Sequence, residues 1–202
     1  ITRPERKPTP APEPALAPKR RIASGKPDMK VPRRLWPTLL LLALIEALAP
    51  AGAFIQPVAG AARRDWNPAS FWHGNWGATG VHKGIDIFAR TGTPVVAAQS
   101  GLVLYTGKIS LGGNVALLIT PRGWLHYYAH LNRIDARQGR WLKAGASVGT
   151  VGATGDAVGR PAHLHYSVLT LIPRPWEFRL GEQAWKRMFY RNPDRLLGDQ
   201  ST

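Results

Sequence analysis

From residue 84 onward, short apolar runs alternate with glycine, proline and asparagine breaks. The runs cover residues 84–88, 94–98, 101–105, 114–120, 124–129, 147–151 and 163–171, and they are rich in Val, Ile, Leu and Tyr. The breaks between them, such as Arg90-Thr91-Gly92, Leu111-Gly112-Gly113 and Pro121-Arg122-Gly123, carry turn chemistry. Strands at this spacing predict an all-β fold: a single domain of antiparallel sheets, as a sandwich or an open barrel. No window in this region sustains a 3.6-residue period over three turns. The one helical stretch expected is residues 180–190, with Asn192-Pro193 ending it.

The N-terminal quarter reads differently. Residues 1–28 are rich in Pro, Ala, Lys and Arg without apolar periodicity, a composition of disordered chain. From Met29 the three parts of a secretory signal peptide follow in order. Lys30, Arg33 and Arg34 form a basic region, residues 35–48 an apolar one, and Ala51-Gly52-Ala53 a small-x-small cleavage pattern. That order leaves open whether residues 1–28 lie upstream of the natural start. The uninterrupted apolar run, residues 39–45, is well short of the ~18 residues a membrane-spanning helix needs, and Glu46 follows it. Cleavage after Ala53 with export to the periplasm or cell envelope is therefore preferred to a retained N-terminal membrane anchor. The expected organisation is a segment 1–28, a signal peptide 29–53, an approach segment 54–78, a domain 79–172 and a C-terminal extension 173–202.

The net charge is +15, and residues 54–202 carry 17 Lys and Arg against 8 Asp and Glu. Such a surface attracts anions of many kinds without naming one. No nucleic-acid-binding motif accompanies the charge, and an export signal argues against that class. The chain has no cysteine, which excludes a disulfide framework, thiolate-bound zinc and a thiol nucleophile together. Any metal site must use His, Asp and Glu.

Three clusters offer such groups. His163 and His165, two apart in an expected strand, project from one face about 6–7 Å apart. His82 and Asp86 are four apart at a strand entry, and a neutral imidazole and a carboxylate are good zinc donors. His130 ends an alternating run, Trp124, His126, Tyr128 and His130, expected to share one strand face. Spacing alone leaves each open to a plainer reading: a half-exposed strand, a surface ion pair, a packed histidine.

Taken together, the ordered set His82-x-x-x-Asp86, Tyr128-Ala129-His130-Leu131 and His163-Leu164-His165-Tyr166 resembles the lysostaphin-type zinc peptidases, the LytM or M23 family. The glycines of 92–95, 112–114 and 149–155 agree with the same pattern, over roughly residues 79–172. The resemblance implies Zn²⁺ held by His82, Asp86 and His165, with His130 and His163 as catalytic histidines beside it. It implies an exported endopeptidase acting on peptidoglycan cross-links or stem peptides. The alternative is an inactive relative that regulates another wall hydrolase; whether a protein activator is needed stays open. Tyr127, Tyr128 and Tyr166 stand near as candidate substrate contacts, and His73 and His126 match no part of the pattern. One departure is Ser167, where many relatives carry Glu.

Overall fold

The computed structural model describes residues 32–49, 52 and 54–198. The Pro-rich stretch 1–28 and the cleavage residues Ala51 and Ala53 lie outside the described residues. Residues Arg33–Thr202 cluster as one unit. In chain order the elements are α1 (Trp36–Leu48), β1 (Ile85–Phe88), β2 (Pro94–Val96), β3 (Gly101–Ile109), β4 (Gly113–Ile119), β5 (Trp124–Leu131) and β6 (Arg133–Ile134). There follow β7 (Trp141–Leu142), β8 (Ser147–Thr150), β9 (His163–Thr170), α2 (Ala184–Arg187), β10 (Tyr190–Arg191) and α3 (Pro193–Gly198). The fold is all-β, with antiparallel pairing throughout.

A large sheet runs β1-β9-β5-β4-β3-β7, with β10 pairing β9, and a small sheet runs β2-β8-β6. The period of two decides what lies between them. Along β9, Leu164, Tyr166 and Val168 are buried in the core, joined by Ile85 and Ile87 from β1, Tyr128 from β5, Leu118 from β4, Val95 from β2 and Val148 from β8. Burial of each such aliphatic side chain contributes about 1.5–3 kcal/mol. The other face of β9 is left for His163, His165 and Ser167. Tyr128 satisfies its hydroxyl inside the core by accepting the Ala98 N–H at 2.9 Å.

The segment before β1 is anchored to this sandwich. Ile55 N–H donates to the Ala98 carbonyl at 2.8 Å, Val58 bridges Val95, and Trp66 is buried. The Trp66 indole N–H donates to the Asp194 carboxylate on α3 at 2.8 Å, and Arg63 pairs with the same oxygen.

The C-terminal expectation needs correction. In place of a helix over 180–190 there is a single turn, α2, entered through Gln183 in the left-handed region at φ 51°. Tyr190 and Arg191 are then drawn into β10 by the unpaired edge of β9. Asn192-Pro193 starts α3 and does not end a helix: Pro193 opens it, and the Asn192 side chain accepts the Asp194 N–H at 3.1 Å. Proline at the first helical position loses no bond, and Asn is a favoured cap.

Candidate active site

Strand β9 is the axis of the site because it is paired on both sides. Asp86 of β1 lies opposite His165 on one side, and Ala129 of β5 lies opposite it on the other. Asp86 is therefore delivered to His165 by register. His82 precedes β1 and is held by backbone bonds, its N–H to the His73 carbonyl at 2.9 Å and its own carbonyl to the Trp72 N–H at 2.7 Å. The Gly84 position lets the chain turn from His82 into β1, since a Cβ there would collide with the Tyr166 carbonyl and the Ser167 hydroxyl.

Three donor atoms converge. His82 Nε2 and Asp86 Oδ1 are 3.0 Å apart, His82 Nε2 and His165 Nδ1 3.0 Å, and His165 Nδ1 and Asp86 Oδ1 2.8 Å. These are the one group of three or more potential metal donors within mutual reach among the described residues. His82 Nδ1–H donates to the Ser70 carbonyl at 3.1 Å, which leaves the lone pair of Nε2 aimed at a carboxylate oxygen. Two lone pairs facing each other at 3.0 Å are repulsive unless a cation lies between them, so the residues fit a metal ion. The donor chemistry, two imidazoles and a carboxylate, fits zinc. On the far side, His165 Nε2 lies 3.0 Å from Ser167 Oγ. Burial works against ionised Asp86, but the close contacts with the His165 and His82 imidazoles outweigh it and hold the carboxyl well below the usual carboxylate range.

His130 and His163 complete the arrangement. Their ring centroids are 5.0 Å apart, and that of His130 is 6.0 Å from that of His165. His130 Nδ1–H donates to the Thr154 carbonyl and His163 Nδ1–H to the Pro161 carbonyl, both at 2.8 Å. Each ring thus holds its proton on Nδ1 and keeps a basic Nε2. Burial lowers the pKa of His130, partly offset by the bond to Thr154.

His130 does not share a face with Trp124, His126 and Tyr128 as the alternation predicts. The register of β4 and β5 passes from Ala116 opposite Tyr128 to Asn114 opposite Leu131, which puts one extra residue into β5. The bulge is taken up at His130, whose φ is 62° and whose N–H donates to the Gly112 carbonyl at 2.8 Å. A bulge of this kind re-aims one side chain. It sends His130 to the cleft, while His126 stays in the core with Nδ1 2.7 Å from the Tyr166 hydroxyl. Burial pushes the His126 pKa down to about 3.

The cleft around these residues has a volume of about 360 Å³. Of the three tyrosines expected to meet substrate, Tyr127 lines it, whereas Tyr128 and Tyr166 are fully buried in the core. Burial raises the Tyr127 pKa to about 12, so the phenol stays neutral. His73 is not among the lining residues. Sequence reasoning assigned no role to Trp76, whose indole stacks on the His82 ring at 4.1 Å and 20°. Nor did it assign one to Asp156, with Oδ1 3.7 Å from His130 Nε2, or to Lys83, Arg160 and Tyr190, which also line the cleft. No pattern in the sequence marks these, because they reach the cleft from the segment before β1, from the β8–β9 connection and from β10.

Comparison with known proteins agrees with this geometry. Residues 80–173 match the model of peptidase family M23. Lysostaphin of Staphylococcus simulans is 34% identical over 89 residues, 43% of this chain and 18% of that protein. The peptidoglycan DD-endopeptidase ShyC of Vibrio cholerae is 33% identical over 105 residues, 52% of this chain and 24% of that protein. The alignments thus span about a quarter or less of these relatives' own lengths. The solved catalytic domain of the S. simulans lysostaphin superposes with a TM-score of 0.52 at 27% identity, covering 64% of this chain and 89% of that domain. With its five histidine and aspartate residues converging on one face of β9, the chain carries a lysostaphin-type domain of peptidase family M23.

Proposed function

We propose that the protein is an exported, zinc-dependent endopeptidase that hydrolyses peptide bonds in the cross-links or stem peptides of peptidoglycan. The observation that carries this reading is the pairing of two differently prepared sets of imidazoles. His82 and His165 turn nitrogens toward Asp86, while His130 and His163 keep protons on their outer nitrogens and present basic Nε2 atoms to the cleft. The similarity to a peptidoglycan DD-endopeptidase supports the substrate class.

In this reading His82 Nε2, Asp86 and His165 Nδ1 hold zinc, with His165 Nε2–H donating to Ser167 Oγ. Zinc, when bound, lowers the pKa of a coordinated water to ~7 and polarises a carbonyl oxygen. The chain has no His-Glu-x-x-His, so a glutamate base of that type is absent. His130 or His163 takes the proton of the attacking water at Nε2, and the other stabilises the developing oxyanion or protonates the leaving amine. Tyr127 and Trp76 flank the peptide in the cleft.

The test is digestion of purified peptidoglycan by zinc-loaded protein, with and without a chelator, followed by mass analysis of the fragments. New peptide termini that vanish with the chelator are expected; protein holding one equivalent of zinc that releases none overturns the reading. Exported material should begin at Phe54, by N-terminal sequencing.

A further inference from the structure

At the opposite end of β5 from His130, a second polar cluster surrounds Trp124. The Arg191 guanidinium lies 4.0 Å from the centre of the Trp124 ring and that of Arg122 5.2 Å from it. Arg174 sits over Trp176 at 5.2 Å and pairs with Glu177 at 3.9 Å. Trp124 is buried and Arg191 lies close over it, so the gathered cations need an anion to balance them.

That anion comes from α1. Glu46 is the one acidic residue in the helix, and its carboxylate accepts the Trp124 indole N–H at 3.1 Å with Arg191 Nη1 at 4.0 Å. The Glu46 carbonyl accepts Arg122 Nε–H at 3.1 Å. This carbonyl is orphaned within the helix, because the residue four positions on is Pro50, which has no N–H. Leu40, Leu41, Leu44 and Leu48 of α1 are exposed, at 72%, 57%, 52% and 73%, whereas Glu46 makes these polar contacts. Ala43 and Ala47 flank Glu46 in the same pocket, against Ile172 and Pro173. The seat is therefore shaped for a planar carboxylate with methyl-sized neighbours.

We propose that Trp124, Arg122 and Arg191 form a binding site for a peptide carboxylate, filled by Glu46 while α1 is attached and open to the free carboxylate of an alanine-ended peptide once α1 is gone. Arg191 stays cationic at neutral pH although burial lowers its pKa to about 10. Arg191 neighbours Tyr190, which lines the catalytic cleft, so one short strand joins the two sites. The removal of α1 rests on the export reading above; the site itself does not.

The experiment uses the full chain in detergent, stripped of metal so that cleavage does not intervene. Calorimetry compares N-acetyl-alanyl-alanine with its C-terminal amide. Glu46→Ala should bind the acid about tenfold or more tighter than the wild type, whose tethered carboxylate competes at high effective concentration. It should bind the acid about tenfold tighter than the amide, and adding Arg191→Ala should erase that preference. Trp124→Phe, which removes the indole N–H together with its five-membered ring and keeps an aromatic face, should weaken the acid, with thermal unfolding checking that the domain stays folded. Equal affinity in wild type and Glu46→Ala, equal binding of acid and amide, or binding to anionic phospholipid vesicles alone each overturns the proposal. Loss of peptidoglycan cleavage in zinc-loaded protein that still prefers the acid would sink the enzymatic reading and leave this site standing.

Discussion

His130 donates its Nδ1–H to the Thr154 carbonyl at 2.8 Å from a backbone that is itself left-handed, with φ 62°. Such a conformation costs a non-glycine residue roughly 1–2 kcal/mol, and the surroundings hold it in place. Thr154 Oγ1 donates to the Leu131 carbonyl at 3.0 Å and accepts the Asn114 N–H at 2.9 Å, which ties the Thr154 loop to β4 and β5. His130→Ala should therefore keep one equivalent of zinc and lose about 10²–10⁴-fold in turnover, whereas His82→Ala and Asp86→Ala should lose the metal. Metal analysis beside a cleavage assay decides it; undiminished activity in His130→Ala refutes the assignment.

The same tie passes through Gly113, at φ 63°, where a Cβ would strike the backbone of Thr154 and Gly155. Gly113→Ala should destabilise the domain by about 1–2 kcal/mol or more and displace the acceptor of His130. Urea unfolding measures the first effect. Turnover should fall more than zinc content; a variant losing both in proportion would place Gly113 in general stability alone.

The Ser167 hydroxyl lies 3.0 Å from His165 Nε2, on the far side of the ring from Asp86. Groups that orient a metal-bound imidazole typically account for 10–100-fold in affinity. Ser167→Ala should weaken zinc binding by about that factor, read by competition with a chromophoric chelator. Affinity that does not move would mean that Asp86 and the β1–β9 register orient His165 without it.

Burial depresses the pKa of His130, so its Nε2 stays unprotonated at neutral pH and the acid limb of kcat/KM should fall below the ordinary imidazole value of ~6.5. The Asp156 carboxylate favours the protonated ring, so Asp156→Asn should move that limb to still lower pH. A shift toward higher pH would contradict the placement of Asp156 beside His130.

His126 supplies a stability test apart from the site. Its pKa is about 3 when folded against ~6.5 when unfolded, so between these values the unfolded chain binds more protons. Stability is then complete above pH 6.5 and lost as pH falls, by about 2 kcal/mol at pH 5. His126→Phe should flatten that slope between pH 7 and pH 5 in denaturant titrations.

The sequence alone determined the main strands and singled out the five residues, His82, Asp86, His130, His163 and His165, that the fold brings together. Those residues sit in ordered motifs, and local spacing was enough to put His163 and His165 on one strand face. It did not reveal β6, β7 or β10, each two residues long, because so short a strand exists only where a longer neighbour offers an open edge. It also placed a helix over 180–190, where an unpaired stretch of β9 competes successfully for Tyr190 and Arg191.

What tertiary structure decided was direction. Alternation aimed His130 into the core with Tyr128, and one extra residue in β5, visible only against the register of β4, turned it to the cleft. Likewise, Asp86 and His165, 79 residues apart, become neighbours through the β1–β9 pairing. Tyr166, adjacent to His165, went to the core because successive residues of a strand face opposite ways, and Tyr128 kept the core face that the bulge took from His130. Residue identity and local period are properties of the chain; which face a side chain meets is fixed by pairing, and pairing is a long-range choice.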